Sequence, residues 1–336
     1  MAHNLTINDK GEVEFFSAVT RGWHQIGQLT DRKQTMEEAV EVSKLGWGVE
    51  KVPVLHRGIG DQLLTDPNHV VIRRTDNLRS LGVVSPTYQD ISNLEQFGFV
   101  NELVGEGQAC WDTAGSIDGG RLVFMQVELE GNLFLNSNPD DKTLKKVLFI
   151  NSHDGSKPFM GMVTPIRVVC QNTLNAALGN HKNQFKIYHR KNYQSKKQEA
   201  QKILGLASAY YDDLQTIMNT LAETPVSHSY IQGFLNTLIP ALPDAVTGKI
   251  PSRTQNRRDD IHNLIVNGKG NSGRTKWDVW NGVTEYVDYK GGSRILGKKD
   301  MDSADLMEAY SSQRFERAIL GTGAVLKQKA MDLLLN

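Results

Sequence analysis

Ala109-Cys-Trp-Asp-Thr-Ala-Gly-Ser-Ile117, then Asp118-Gly119-Gly120, then Arg121-Leu-Val-Phe-Met-Gln-Val-Glu-Leu129 is the stretch that decides the fold. Two strand-like runs flank an Asp-Gly turn. Asp and Gly tolerate the positive φ angles of a tight reversal, so the pattern predicts a β-hairpin. A hairpin of this length needs further strands and a covering layer to be stable.

Upstream, Thr35 and Glu38 are spaced as a capping box, in which each side chain satisfies an orphan amide of the first helical turn. Met36, Val40 and Leu45 continue that helix, and Gly46 is its expected stop. Strands follow at 47–55, 68–74 and 79–85. Ser92 caps a helix over 93–104, with Leu94, Phe97, Phe99, Val100, Leu103 and Val104 as its apolar set. Downstream of the hairpin the pattern predicts strands at 147–151, 162–169 and 185–189. A short helix is expected over 174–178, capped by Asn172 and Thr173. From Ser195 the spacing becomes helical, over 200–221, 230–239, 259–266, 276–289 and 303–335 with a break at Gly321–Gly323. The expected class is α+β: an antiparallel sheet with a long β-hairpin and packed helices, followed by a mostly helical C-terminal half. The expected division is an α+β core domain over 1–192 and a mostly helical, basic region over 193–336.

The chain has 336 residues, 39% of them hydrophobic, enough for a sizeable core. No apolar run is long enough to cross a bilayer, and Met1 to Lys10 lacks the pattern of a signal peptide, so the expected location is the cytoplasm. Two cysteines, Cys110 and Cys170, make neither a disulfide framework nor a zinc site by themselves. Net charge is zero, from 38 basic and 38 acidic side chains. Residues 1–150 hold 14 basic and 21 acidic side chains, whereas 151–336 hold 24 and 17. Such asymmetry points to a polyanion partner for the basic half.

Lys182, Lys186, Arg190, Lys191, Lys196, Lys197 and Lys202 face one acid, Glu199, with Phe185, Tyr188 and Tyr193 interleaved. Cations neutralise phosphates and aromatic faces stack on unpaired bases, as a single-strand track requires. The same segment also reads as a solvated basic linker. Arg257 and Arg258 join Lys249 and Arg253 in a second basic cluster, and Lys269, Arg274 and Lys276 form a third. His153 and Asp154 follow an apolar strand and read either as a structural polar turn or as an acid–base pair. Arg167 and Asn172 end another strand beside Cys170, a small buried hydrophobe or a nucleophile. On a helix, Trp277, Trp280 and Thr284 share one face, with Asn281, Glu285 and Asp288 along the next. That strip reads as core packing or as a ligand-positioning surface. Phosphate-binding loops, nucleophile elbows and dinucleotide fingerprints are absent. No catalytic residue, cofactor or metal is therefore assigned.

Several ordered motifs resemble a family of unknown function found in phages, prophages and plasmids, the phage/plasmid-related proteins. They are Thr35–Val54, Leu81–Tyr88 with the 93–104 helix, Trp111–Val127, Asn151–Ser156, Arg167–Leu174, and Trp280–Asp288 with Gly321–Lys329. Tyr289 stands where that family leads one to expect His. In layout alone the chain is similar to phage single-strand annealing proteins, whose β-hairpin and adjoining helices form a groove for the DNA backbone. That likeness implies a groove drawing on Arg121, Arg167 and the Lys182–Lys202 track. The expectation is a DNA-metabolism protein that binds single-stranded DNA as a homo-oligomer and anneals it. The alternatives are a metal-dependent enzyme on nucleotides or nucleic acid, using His153, Asp154, Glu285 and Asp288, and a phage protein that occupies a host factor.

Overall fold

A computed structural model describes residues 5–19, 27–103, 109–167, 172–173, 184–187, 196–244, 247–290 and 321–336. In chain order, β1 (Phe15–Ala18) and β2 (Gln28–Thr30) precede α1 (Met36–Ser43). A meander of β3 (Val49–Arg57), β4 (Leu63–Arg74) and β5 (Ser80–Val84) leads to α2 (Asn93–Leu103). The central hairpin is β6 (Ala109–Ile117) and β7 (Leu122–Leu135), continued by β8 (Asn138–Ser152) and β9 (Phe159–Val163). Short strands β10 (Ile166–Arg167), β11 (Asn172–Thr173) and β12 (Gln184–Ile187) complete the sheet part. The helices are α3 (Lys196–Glu223), α4 (His228–Leu238), α5 (Ser252–Asn267), α6 (Lys276–Glu285) and α7 (Thr322–Leu335), with a π-helical turn, Tyr286–Lys290, after α6.

The 109–129 hairpin forms as its sequence predicts, with Ile117 opposite Leu122 and Gly115 opposite Phe124. Its turn holds three successive positive φ values, at Asp118, Gly119 and Gly120, which explains the Asp-Gly-Gly triplet. β1, β6, β7, β8 and β9 lie side by side in one mainly antiparallel sheet, with β2 parallel to β1 at one edge. β9 and β10 share the far side of β8, β9 along Val147–Ile150 and β10 along Thr143–Leu144. The β3–β5 meander is a separate three-stranded antiparallel sheet.

Alternation along the strands builds two cores. Val123, Met125, Val127, Val147 and Phe149 face the helices. Phe15, Phe124, Leu148, Ile150, Met160 and Met162 pack on the other face. The first cluster continues without a break into Tyr210, Leu214, Trp280, Ile265 and Met331 of the helical half.

The Thr35–Glu38 capping box is present, but α1 ends at Lys44 in the left-handed conformation, ahead of Gly46. Ser92 and Glu95 cap α2 reciprocally. On α2 Phe97, Phe99 and Val100 are buried as expected, joined by the polar Asn93 and Gln96, whereas Leu94, expected in the apolar set, is exposed. Only the last part of β8 was expected. Its first half is polar, yet Asp141 and Thr143 are buried there. The expected strand over 162–169 is two strands, β9 and β10. Asn172 and Thr173 pair with β10, and the helix expected after them lies outside the described residues.

Candidate functional site

The densest polar constellation lies where the small sheet meets the turn of the central hairpin. Glu14 and Arg74 are both buried and form an ion pair, Nη2 to Oε1 at 2.6 Å. Ser116 Oγ and Trp47 Nε1 donate to the other carboxylate oxygen at 2.5 and 3.2 Å. Arg74 also donates to Asp76 and to the Gly119 carbonyl. A Cβ on Gly120 would stand 2.9 Å from the Trp47 ring, so the turn glycine admits the indole. The Arg74 guanidinium lies 4.0 Å from the centre of that ring, as a cation–π pair. Every polar partner in the cluster is matched, as a buried charge requires.

His153 packs against the Trp47 ring, centroids 5.4 Å apart. Its Nε2 lies 2.9 Å from Asn93 Oδ1 and its Nδ1 3.2 Å from Asp90 Oδ1. Asn93 Nδ2 in turn donates to the carbonyls of Leu45 and Trp47, which fixes its oxygen toward the ring. Both nitrogens of His153 therefore face acceptors, and the ring is fully buried. Asp154 turns the other way. It accepts from Arg121 Nη2 at 2.7 Å and from the Ser156 amide. Burial pushes its carboxyl up, but the hydrogen bonds from Ser156 and Arg121 outweigh that and hold it at about 2. Asp154 is thus a permanent anion near neutral pH. The structure separates His153 from Asp154, and of the two readings the turn fits: one side chain ties α2 to the sheet, the other closes the loop.

Arg121 is half exposed and bonded to both Asp118 and Asp154, so its charge is balanced locally. Arg167 lies on β10 opposite Thr143 of β8 and Asn172 of β11. β11 lies against α6. Asn172 therefore joins the Trp280 region, while His153 stands about 30 Å away along β8 at the usual strand rise. The residues grouped as one polar cluster thus stand apart: His153 and Asp154 follow β8, Asn172 is on β11, and the others are on α6 and the π turn.

Trp277, Trp280, Asn281 and Thr284 are all buried, so core packing accounts for the Trp277–Trp280–Thr284 face of the predicted strip, while Glu285 and Asp288 on the other are half-buried. Asn281 Nδ2 donates to the Trp277 carbonyl, and Thr284 Oγ1 to that of Asn281. Asp288, on the π turn, pairs with the buried Lys327 of α7 at 2.6 Å. Burial lowers the affinity of Lys327 for its proton, and Asp288 opposes that effect. A Cβ on Gly268 would stand 2.5 Å from Glu285 Oε2, so a glycine there seats that carboxylate. Among the described residues no group of three or more His, Cys, Asp or Glu is placed to hold a metal ion.

The basic residues divide into two populations. Arg258 is buried, and its Nε and Nη2 donate to the Ile239 carbonyl at the end of α4. This corrects its assignment to a nucleic-acid surface, because its donors are spent inside the fold. Lys329 caps the same helix end at Thr237 and Leu238, and Lys276 reaches the Leu334 carbonyl. Cations at helix C-termini satisfy orphan carbonyls and the dipole together. Arg257 is half-buried over the Tyr286 ring. The second population is exposed where its side chains are described, at Lys186 and Lys202. Lys186 projects from β12, and Lys202 from the early turns of α3. Lys196 and Lys197 begin α3. Lys182, Tyr188, Arg190, Lys191 and Tyr193 lie outside the described residues.

Sequence reasoning missed Glu14, Trp47, Arg74, Asp90 and Asn93. The one local signal was charge inside a strand pattern, in Val71-Ile72-Arg73-Arg74. No curated protein and no solved structure matches the chain. One family model does match, described as a domain of unknown function, DUF932, over residues 80–309. That span runs from β5 through the central hairpin and the helices to beyond the π turn, more than half of the sequence, and the chain belongs to the DUF932 family.

Proposed function

We propose that this chain is a DNA-metabolism protein of phages or plasmids that binds single-stranded DNA along β12 and the start of α3. It would act as an oligomer and anneal complementary strands by holding one extended, with no catalytic side chain required. The observation that supports this reading is the exposure of Lys186 and Lys202 toward the two ends of the basic track. Among the described residues β12 has a single neighbour, β9, so it is an edge strand, and Lys186 on it is exposed. α3 packs against β9 and presents Lys202 to solvent. The stretch between holds cations, aromatics and one acid. The phage or plasmid origin rests on the ordered motifs quoted above.

Fluorescence anisotropy with labelled oligo(dT) over a salt series tests it. The logarithm of the binding constant should fall linearly with the logarithm of salt, by about 0.7 per phosphate contacted. Lys196→Glu with Lys197→Glu should weaken binding to all sequences alike and flatten that slope. Binding that ignores salt, or no binding at low salt, overturns the proposal.

A further inference from the structure

Four arginines among the described residues are drawn away from solvent: Arg73, Arg74, Arg257 and Arg258. Three of them donate inside the fold, Arg73 to Glu50, Arg74 to Glu14 and Asp76, and Arg258 to the Ile239 carbonyl. Arg257 is the exception. Among the described residues neither a carboxylate nor a carbonyl accepts from it. Its guanidinium carbon lies 5.7 Å from the centre of the Tyr286 ring, and its Nε is buried without a partner. Arginine is seldom withdrawn from water unless it is paired. The ring face offsets part of the lost hydration, but it supplies no counter-charge.

The surroundings show why no acid of the fold answers this cation. Asp259 and Asp260 follow it on α5, but Asp259 accepts from Gln255, and Asp260 faces Lys290 of the π turn at 3.8 Å. Arg253, one turn earlier on the same face, is exposed and adds a like charge. Two cations at that spacing repel unless an anion stands between them. Side chains on a helix lean toward its N-terminus, so Arg257 leans toward Arg253. α5 starts at Pro251 without a side-chain cap, so its first amides add positive field at the same end.

These groups define the anion they would take. It must present two acceptors side by side to the guanidinium fork, and it must carry charge enough for two cations. A phosphate monoester does both, being close to a dianion at neutral pH with three strong acceptor oxygens. A carboxylate, or an internal phosphodiester of a nucleic acid, brings a single charge. We infer that Arg257, assisted by Arg253, forms a site on α5 for one phosphate monoester group, carried by a free nucleotide or by the 5′ end of a strand. The site does not rest on the proposed binding of single strands along β12 and α3.

Isothermal titration of the full chain with inorganic phosphate, in chloride buffer slightly above neutral pH, should show saturable binding. Arg257→Gln should weaken it by about 10-fold or more, as the loss of a charge-assisted pair. Arg257→Lys keeps the charge without the fork and should recover only part of the affinity. Arg253→Gln should weaken binding by about threefold. Arg253 is exposed, so that variant keeps the test readable if Arg257→Gln fails to fold. Lys196→Glu with Lys197→Glu should bind phosphate like wild type, which separates failure of this site from failure of the single-strand reading. The inference is overturned if phosphate does not saturate the chain, if both arginine variants bind it like wild type, or if the lysine variant loses it. Thymidine monophosphate, and oligo(dT) with and without a 5′-phosphate, identify the source. A preference for the phosphorylated strand that Arg257→Gln abolishes assigns the site to a strand end. Thymidine monophosphate bound through Arg257 without that preference assigns it to a free nucleotide. If neither ester binds through Arg257, the inference fails.

Discussion

At the scale of single residues, the Glu14–Arg74 pair sets the largest stake. Both side chains are buried, and Glu14 is also bonded to Ser116 and Trp47. Replacing Arg74 by Met leaves a carboxylate in the core without its counter-charge. The expected loss is about 3–5 kcal/mol in urea unfolding. Adding Glu14→Gln should return part of that loss, since the isolated charge is then gone. If Arg74→Met alone costs less than about 1 kcal/mol, the pair is not what ties the sheets. Little of this was legible in the sequence. Arg74 and Lys327 look like surface cations in their own segments. Their burial is decided by partners 60 and 39 residues away in the chain. His153 was legible as a residue of interest, but its partners Asp90 and Asn93 were not, because no local spacing links residues 60 positions apart.

At the scale of elements, signals that act within a few residues were readable. The Asp-Gly-Gly turn works through the positive φ angles of its own three residues, and the helix starts at Thr35 and Ser92 through side chains that reach their own backbone. The β7–β8 hairpin was not readable, because its support is remote. Gln215 of α3 accepts from the Phe134 amide at 3.1 Å and donates to the Phe134 carbonyl at 2.6 Å, and Asn219 accepts from the Asn136 amide. These side-chain amides hold backbone groups that a strand neighbour would otherwise hold. Helix packing allows a sharper test. A Cβ at Gly282 of α6 would stand 2.5 Å from Ile265 Cγ1 and 2.7 Å from the Ile265 backbone nitrogen. Gly282→Ala should therefore destabilise the protein by about 1–3 kcal/mol despite the better helix propensity of alanine. Gly233 of α4 has nothing within 4 Å of that position. Gly233→Ala should instead stabilise by up to about 1 kcal/mol. Denaturant midpoints compare the two directly, and equal shifts would refute the packing argument.

At the scale of the whole molecule, the zero net charge conceals two uses for cations. Several of the basic side chains in the C-terminal half, Arg258, Lys276, Lys327 and Lys329, are bound internally. The charge surplus of that half therefore overstates the surface available to a polyanion, and attention narrows to the Lys182–Lys202 track. The helical half does not stand apart from the sheet. α3 contacts α2, β7 and α6, and one apolar cluster runs through both halves. The slowest-exchanging amides of β7 and β8 and those of α3 and α6 should accordingly share one opening free energy in native-state hydrogen exchange. Two separate values would show that the halves unfold independently. The composition change near Ser195 was legible; the continuity of packing across it was not, since periodicity identifies a buried face without naming what buries it.

The indole of Trp47 has one further consequence. It is held between the guanidinium of Arg74 on the small sheet and the imidazole of His153 at the end of the large one. Both neighbours perturb an excited indole at contact distance. Any event that shifts one sheet against the other would change the brightness of this ring before it changed the secondary structure. The joint thus carries its own optical gauge, read without added dye as the part of the emission that Trp47 contributes beside the other four tryptophans.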